Sequence, residues 1–322
     1  MRKFTLFNFP KDRVYVLLEK TFRQKFFNEA VKVAGSQSAL ARKLKVSIPM
    51  VKNWWRGKNG IFEQAMPLRA IVQIYNIVDS QKFSVNKIQN AVIKYRARRG
   101  FSVIKPNLPL VEDERLIRIF FHMAGDGFAG HFGGAKPNYF NKNRMVMKEF
   151  IKDLSVFGKK IELNLKENGQ RLEFPRVIGH ILQYIYQTNF KSREVRMPSH
   201  FLKMKRNIIL QGIKALMDDE GTVDFNRISL SLENKLFLLD IARLLQTKSP
   251  LKNHIWIKKS KTIPTLRIRS RGLEWYYQHI GFTHPRKMRD LEFYLNNKKK
   301  KILKIPQIYS EKPAGIKNLI SV

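Results

Sequence analysis

Two stretches of the chain share one pattern of hydrophobic and polar positions. Residues 116–127 read LIRIFFHMAGDG, and residues 210–221 read LQGIKALMDDEG. Apolar side chains recur three and four positions apart in both, which predicts two buried helices, each ending at an acid that glycine follows. The acids, Asp126 and Glu220, lie roughly a hundred residues apart, so the pattern indicates an internal duplication.

After each predicted helix, the spacing predicts strands, a helix, strands and a final helix. In the first unit, helical spacing covers 145–156 and 175–188, and alternation covers 161–165 and 171–174 around the hairpin signal Asn168-Gly169. In the second unit, alternation covers 227–233, 254–259 and 265–271, and helical spacing covers 234–245 and 273–280. These elements predict an α+β fold built from two related units.

The two acids lie at the C-terminal ends of their predicted helices, where the helix dipole disfavours a carboxylate by roughly 0.3–1 kcal/mol. If the helices pack side by side through small residues such as Gly212, Ala215 and Ala124, the two carboxylates converge. Like charges at that range need a counter-charge, and oxygen ligands favour a hard divalent cation, Mg²⁺ or Mn²⁺. For either acid alone, a helix stop followed by a turn residue is the simpler interpretation.

The first hundred residues predict a separate helical domain. Its helices are expected over 22–34, 38–46, 48–57 and 67–78. Ala41, Val51 and Trp54 fall where a helix-turn-helix requires a small residue in its first helix and apolar residues in its second, so this part resembles the bacterial and archaeal helix-turn-helix family. Lys45 departs from that pattern, because glycine usually occupies the turn; it must adopt a left-handed conformation or a different turn.

The helix-turn-helix resemblance implies that the helix over 47–56 enters the major groove of DNA. The side chains expected to face outward there are Ser47, Met50, Lys52 and Asn53. Those expected to hold phosphates are Lys43, Lys45, Arg56 and Lys58. The alternative is an ordinary three-helix bundle with a solvated basic face. Residues 94–100 (KYRARRG), with prolines soon after, predict a linker to the duplicated part.

Composition strengthens the expectation of a nucleic-acid partner. The chain has 322 residues, and 62 Lys and Arg against 25 Asp and Glu give a formal net charge of +37. Such a field favours polyanions, with nucleic acid first and an anionic membrane surface second. The sequence has no long apolar run and no cysteine, which predicts a cytoplasmic protein without a membrane partner. The helix-turn-helix resemblance implies that the protein is prokaryotic. Histidine and glycine spacings match no zinc or nucleotide motif.

The segment 265–271 (TLRIRSR) predicts a strand with an arginine face. Leu266 and Ile268 are expected in the core, which leaves Arg267, Arg269 and Arg271 on the open side, facing a DNA duplex. Other strand residues assigned to DNA binding are Lys160, Lys166, Arg171, Arg227, Ser229, Ser231 and Lys258. The alternative is a solvated sheet face.

Several motifs carry a second family resemblance. Residues 217–223 (MDDEGTV) followed by 227–230 (RISL), the segment 280–287 and the bridge 191–198 resemble the single-chain form of the LAGLIDADG homing endonucleases. The resemblance covers about residues 114–294. It implies two pseudo-symmetric αββαββα repeats that form a DNA-binding saddle, in a monomer with an internal pseudo-two-fold axis. The corresponding boundaries are an all-α domain over 1–100, a linker over 101–112, repeats over 113–200 and 201–300, and a tail over 301–322.

The resemblance also implies an activity. Asp126 and Glu220 would bind Mg²⁺ (or Mn²⁺) for hydrolysis of both strands of double-stranded DNA. The resemblance implies an assisting basic residue on the late strand of each repeat. That strand offers Arg267 in the second repeat and only Arg171 in the first, with Lys258 and Lys191 as other candidates. Phe121 replaces a usually small residue, which predicts a wider separation of the two helices. The alternatives are a DNA-binding regulator without cleavage and an RNA-binding helper of intron splicing.

Overall fold

A computed structural model describes residues 1–59, 62–130, 135–224, 226–258 and 263–303. The helices are α1 (Lys20–Ala34), α2 (Gln37–Leu44), α3 (Ile48–Arg56), α4 (Leu68–Tyr75), α5 (Val85–Asn90), α6 (Glu114–Ala124), α7 (Arg144–Leu154), α8 (Arg176–Tyr186), α9 (Arg206–Glu220), α10 (Lys235–Lys248), α11 (Leu273–His279) and α12 (Pro285–Leu303).

The strands of the N-terminal part are β1 (Lys3–Phe4), β2 (Tyr15–Leu18), β3 (Lys58–Asn59), β4 (Phe62–Glu63), β5 (Met66–Pro67), β6 (Val92–Arg96), β7 (Ser102–Pro106) and β8 (Leu110–Val111). Those of the duplicated part are β9 (Gly127–Phe128), β10 (Asn138–Phe140), β11 (Gly158–Ile161), β12 (Asn164–Lys166), β13 (Arg171–Glu173), β14 (Gly221–Asp224), β15 (Arg227–Ser231), β16 (Ile255–Lys258) and β17 (Thr265–Arg269).

Local sequence signals set the ends of the first three helices. The hydroxyl of Ser36 accepts the N–H of Ala39 at the start of α2, and Ser47 does the same for Met50 at the start of α3. Lys45 adopts the left-handed conformation (φ 54°, ψ 48°) between the two helices. The predicted helices and the strained turn at Lys45 are therefore present.

The N-terminal part is not all-α, and the prediction of a linker over 94–100 is wrong. Strands β6 and β7 form a hairpin inside a five-stranded antiparallel sheet with the order β11-β7-β6-β2-β5. The basic side chains of Lys94 and Arg96 alternate with buried Tyr95, so the charges that suggested a linker are the polar side of a strand.

The strand predicted over 161–165 is in fact two strands in different sheets. Strand β11 pairs with β7 of the five-stranded sheet, whereas β12 pairs with β13. Lys160 therefore does not lie in the same sheet as Lys166 and Arg171. The hairpin between β12 and β13 contains Asn168 and Gly169 with positive φ, as the sequence predicts.

The two units that follow the N-terminal part have the same strand order. The sheets are β9-β10-β13-β12 in the first unit and β14-β15-β17-β16 in the second, both antiparallel. Strand β17 turns Leu266 and Ile268 to the core, as predicted. One hydrophobic core runs through both units and the N-terminal part. Within the described ranges, no helix has the length and apolar character that spanning a bilayer requires.

Helices α6 and α9 pack against each other through an unusually close contact. A Cβ atom at Gly212 would lie 2.2 Å from Cδ2 of Phe121, so the ring fills the space that the missing side chain leaves. The large residue that predicted a wider separation is thus matched by glycine on the opposite helix. Glu220 is the last residue of α9, and Asp126 follows the end of α6 by two residues.

Candidate functional site

The ends of α6 and α9 are shaped by two equivalent glycines. A Cβ at Gly127 would lie 2.4 Å from Cα of Met123, and a Cβ at Gly221 would lie 2.5 Å from the carbonyl oxygen of Met217. Gly221 has extended backbone angles (φ −75°, ψ 149°) rather than the left-handed ones of a common helix stop. Glycine is therefore required because the chain turns back closely over the helix end. This turn holds Asp126 and Glu220 at matching places.

The two acids share one electrostatic environment. Partial removal from water and the negative charges of Asp219 and Glu220 raise the pKa of Asp126 to about 7, although the residue keeps an exposed surface. Burial and the charge of Asp219 also raise the pKa of Glu220. The charge of Glu220 thus acts on Asp126, and the charge of Asp219 acts on both acids. Among the described residues, no side chain donates a hydrogen bond to either carboxylate.

Lys287 supplies a counter-charge that the sequence did not predict. Its ammonium group donates to the carbonyl oxygens of Met217, Asp218 and Asp219 at 3.1, 2.6 and 3.2 Å. This contact caps the C-terminal end of α9. Its positive charge also lowers the pKa of Asp126 and of Glu220, opposing the effect of burial. A metal ion is therefore not the only group that makes the acid pair tolerable.

The residues just before α12 are hydrogen-bonded to the C-terminal end of α9. The carboxylate of Asp218 accepts the N–H groups of Thr283 and His284 at 2.9 and 2.8 Å. The hydroxyl of Thr283 donates to Glu149 of α7 at 2.6 Å. Burial raises the pKa of Asp218 to about 6, while these two backbone donors lower it. Asp218 is thus a buried structural acid rather than an open ligand.

Asp219 is bonded to the first unit. Its carboxylate accepts the Tyr139 hydroxyl at 2.5 Å and the Asn141 side-chain amide at 3.0 Å on one oxygen. The other oxygen lies 2.9 Å from Nδ1 of His122. Burial alone would lower the pKa of His122, but the negative charge of Asp219 raises it above its usual value. The side chains of Asp219 and His122 are both completely buried.

Asp126 and Glu220 meet some of the requirements of a binding site for a hard divalent cation. Both are carboxylates with free oxygens, and Asp126 reaches the surface. No cluster of three or more acidic or histidine side chains with metal-site geometry occurs in the part of the chain that the structure describes. Because Mg²⁺ commonly binds through one or two carboxylates together with water and substrate phosphates, a pair of acids at a surface fits that mode.

Of the basic residues predicted to assist catalysis, two lie on paired strands of the second sheet and one lies in the connection after α8. Arg267 is on β17, Lys258 ends β16, and Lys191 lies in the connection after α8. Lys191 forms an exposed ion pair with Glu194 at 3.1 Å. Arg171 of the first unit pairs with Glu167 at 3.2 Å. Among the described residues, Lys287 is a basic side chain whose charge lowers the pKa of both acids.

The open side of the second sheet carries an aromatic ring between two guanidinium groups. Trp256 is 43% exposed, and the guanidinium carbons of Arg267 and Arg269 lie 5.5 and 5.9 Å from its ring centroid. Arg271 does not extend this row, because β17 ends at Arg269 and Arg271 lies in the following 3-10 turn. Two preordered arginines therefore face outward beside an accessible aromatic surface.

The other residues assigned to the sheet faces are less free. Lys166 pairs with Glu173 at 2.8 Å, and Arg227 pairs with Asp224 at 3.0 Å. Ser229 is buried, while the exposed Ser231 shares a hydrogen bond with Thr265. The hydrogen bond from Lys166 lowers the pKa of Glu173 to about 2, so that ion pair persists at neutral pH.

Most of the side chains predicted to read or hold DNA in the N-terminal part are exposed. Those at the surface are Lys43, Lys45, Ser47, Met50, Lys52, Arg56 and Lys58, whereas Asn53 is half-buried. Arg23 of α1 fixes the C-terminal end of α3. Its guanidinium group donates to the carbonyl oxygens of Trp55 and Arg56 at 3.1 and 2.9 Å. The basic face of α3 is thus presented from a fixed position.

The sequence pattern missed Asp219, His122, Tyr139 and Lys287 as site residues. Asp218, Asp219 and Glu220 form a run of three acids before Gly221, and only Glu220 was assigned a role. The run itself was the signal that could have identified Asp219. The other three meet the acids through contacts between distant parts of the chain, which no local spacing reveals.

Comparison with solved structures finds similarity to homing endonucleases. The homing endonuclease I-WcaI bound to its DNA recognition sequence has 13% identity over 54% of this chain and 85% of that chain, with a TM-score of 0.38. I-DmoI in complex with DNA and Mn has 14% identity over 52% of this chain and 96% of that chain, with a TM-score of 0.37. I-DmoI with DNA and Ca has 14% identity over 56% and 100%, with a TM-score of 0.38. No family model matches the chain, and no curated protein sequence matches it.

Proposed function

We propose that the protein is a site-specific DNA endonuclease that hydrolyses phosphodiester bonds of both strands, with Asp126 and Glu220 as the acids that hold Mg²⁺ or Mn²⁺. The observation that carries this proposal is the shared environment of these two acids at the ends of two packed helices. Their carboxylates have no side-chain donor among the described residues, so their oxygens are free to act as ligands.

The roles of the chain's own residues follow from this geometry. Gly127 and Gly221 hold the two acids at the ends of the helices, and Lys287 limits the repulsion between them. A bound divalent cation would supply activation of a water molecule and stabilisation of charge on the leaving oxygen. Arg267 and Arg269, ordered by Trp256, would bind the duplex through phosphates or guanine edges.

The N-terminal part would add a second contact with DNA. Exposed lysines on α2 and α3 flank the left-handed turn at Lys45, and the net charge of +37 attracts a polyanion over the whole molecule. Phosphate contacts from this surface would position the protein without reading sequence.

A second function, DNA binding without cleavage, is favoured by one specific observation. Lys287 already neutralises part of the charge at the acid pair, so the fold does not need a metal ion to keep these acids together. A regulator that retains the fold would show the same contact.

A cleavage assay separates the two functions. Duplex DNA spanning the locus around the gene is incubated with the protein and Mg²⁺ or Mn²⁺, and nicked and linear products are quantified. We expect wild type to cut, Asp126→Asn and Glu220→Gln to lose cutting while retaining binding, and the exposed control Asp12→Asn to behave as wild type. Tight binding without any nicking by wild type would exclude the enzyme and leave the regulator.

A further inference from the structure

The two residues that directly precede the acids meet between the units. Gly125 precedes Asp126, and Asp219 precedes Glu220. A Cβ at Gly125 would lie 3.2 Å from Oδ2 of Asp219, so the Asp219 carboxylate occupies the space beside the glycine. The equivalent positions therefore hold the smallest residue in one unit and a charged side chain in the other.

Asp219 extends from the second unit into a pocket of donors built by the first. The three donors come from α6 (His122), from β10 (Tyr139) and from the residue after β10 (Asn141). The Asn141 amide also donates to the Tyr139 oxygen at 3.1 Å. The Tyr139 ring is itself fixed, because it stacks on Phe150 with a centroid distance of 4.2 Å. A buried carboxylate with this many fixed donors has one stable position.

This arrangement excludes Asp219 as a ligand of a cation and as a general base. Its side chain has no exposed surface, and both oxygens already accept hydrogen bonds. It is, however, adjacent in the chain to Glu220 and in space to Gly125, which precedes Asp126. Asp219 therefore links the two segments that carry the acids.

We propose that Asp219 is a positioning residue, and that its bonds to Tyr139, His122 and Asn141 fix Glu220 against Asp126 across the two units. The metal readout of this proposal rests on the proposed function; its geometric readout does not. Residues that orient metal-binding side chains typically change metal affinity by about 10–100-fold when they are mutated.

The test uses two conservative variants and a deletion of the carboxylate. Tyr139→Phe removes the hydroxyl and keeps the stacked ring, Asp219→Asn keeps the shape and removes the charge, and Asp219→Ala removes both. Mn²⁺ binding to the full chain is measured from the loss of the free-ion signal in electron paramagnetic resonance. We expect Tyr139→Phe to raise the Kd by about tenfold and Asp219→Ala by about a hundredfold. The control Tyr184→Phe, at a tyrosine that is 54% exposed, should leave the Kd unchanged.

A second readout reports geometry without metal. Because the chain has no cysteine, spin labels can be attached at cysteines introduced at Leu165 on β12 and Leu236 on α10, which are both exposed and lie in different units. We expect the distribution of distances between the labels to broaden in Asp219→Ala and to stay narrow in Tyr184→Phe.

The outcomes divide clearly. If Tyr139→Phe binds Mn²⁺ with wild-type affinity, and only Asp219→Asn and Asp219→Ala bind it more weakly, Asp219 acts through its charge alone. That result would overturn the positioning role. If wild type itself binds no Mn²⁺, the proposed function loses its metal site, and the label distances alone decide. An unchanged distribution in Asp219→Ala would then overturn the proposal, whereas a broadened one would support it.

Discussion

The ammonium group of Lys287, in the first turn of α12, lies 2.6 Å from the carbonyl oxygen of Asp218. Lys287 thereby places a positive charge at the negative end of α9, where the acids crowd. The structure thus stabilises its acid cluster with a lysine of its own chain.

Replacing this lysine tests its electrostatic role. Lys287→Met keeps the length of the side chain but removes the charge and three hydrogen bonds to helix carbonyls. We expect the free energy of unfolding to fall by about 1–3 kcal/mol. We also expect the pKa of Asp126 to rise above its value of about 7, measured by NMR titration of the ¹³C-labelled carboxyl group. Arg286→Met, at a neighbour that is 81% exposed, is the matched control. An unmoved Asp126 titration would contradict this role.

Stability should depend on pH through Asp126. Its pKa is raised from 3.8 to about 7 on folding, so between these values the folded protein holds a proton that the unfolded chain has released. The free energy of unfolding therefore receives a contribution that is full below about pH 4 and is lost as the pH rises through about 7. Asp126→Asn should flatten the stability curve over this window in urea denaturation, while Asp12→Asn should not. Identical slopes in wild type and Asp126→Asn would show that the carboxyl titrates normally.

The packing of α6 on α9 should be sensitive to one methyl group. In Gly212→Ala the new Cβ would lie 2.2 Å from the Phe121 ring, and we expect a loss of about 1–3 kcal/mol in the free energy of unfolding. The cost should shrink in a Phe121→Leu background, since the smaller side chain vacates the contact. Gln211→Ala, one residue earlier, serves as the control. Equal costs in both backgrounds would mean that the two side chains do not interact.

Replacing Lys45 with glycine should raise stability while it weakens the electrostatic part of DNA binding. Its left-handed backbone (φ 54°) is strained for a residue with a side chain, so Lys45→Gly should gain up to about 1 kcal/mol in the free energy of unfolding. If Lys45 contacts a phosphate, the same change should lower the salt dependence of binding to a generic duplex by about one charge. Lys43→Gln, which removes a charge from regular helix, should lower the salt dependence without the gain in stability. A loss of stability in Lys45→Gly would contradict the strain argument.

Local signals in the sequence were sufficient for most of the described helices, although α5 and α12 were not predicted. Ser36 and Ser47 mark helix starts because their hydroxyls accept backbone N–H groups, and Gly221 marks the end of α9 because a side chain there would collide with Met217. The alternation over β17 gave its buried face for the same local reason.

Partners that are distant in the chain could not be read in this way. Alternation shows which face of a strand is buried but not which strand lies beside it, so the pairing of β11 with β7 was missed. His122 and Asp219 are 97 positions apart, and their contact exists only because α6 and α9 lie together. The role of Lys287 was hidden for the same reason, since its partners are helix carbonyls rather than side chains.

The five-stranded sheet joins the N-terminal part to the first unit. Because β11, which follows α7, completes the sheet that also holds β2, β5, β6 and β7, the N-terminal part cannot swing freely against the acid pair. Under the proposed function, the distance from α3 to the site of cleavage would then be fixed. We expect the protein to tolerate base substitutions between these two contact points far better than the insertion or deletion of a base pair.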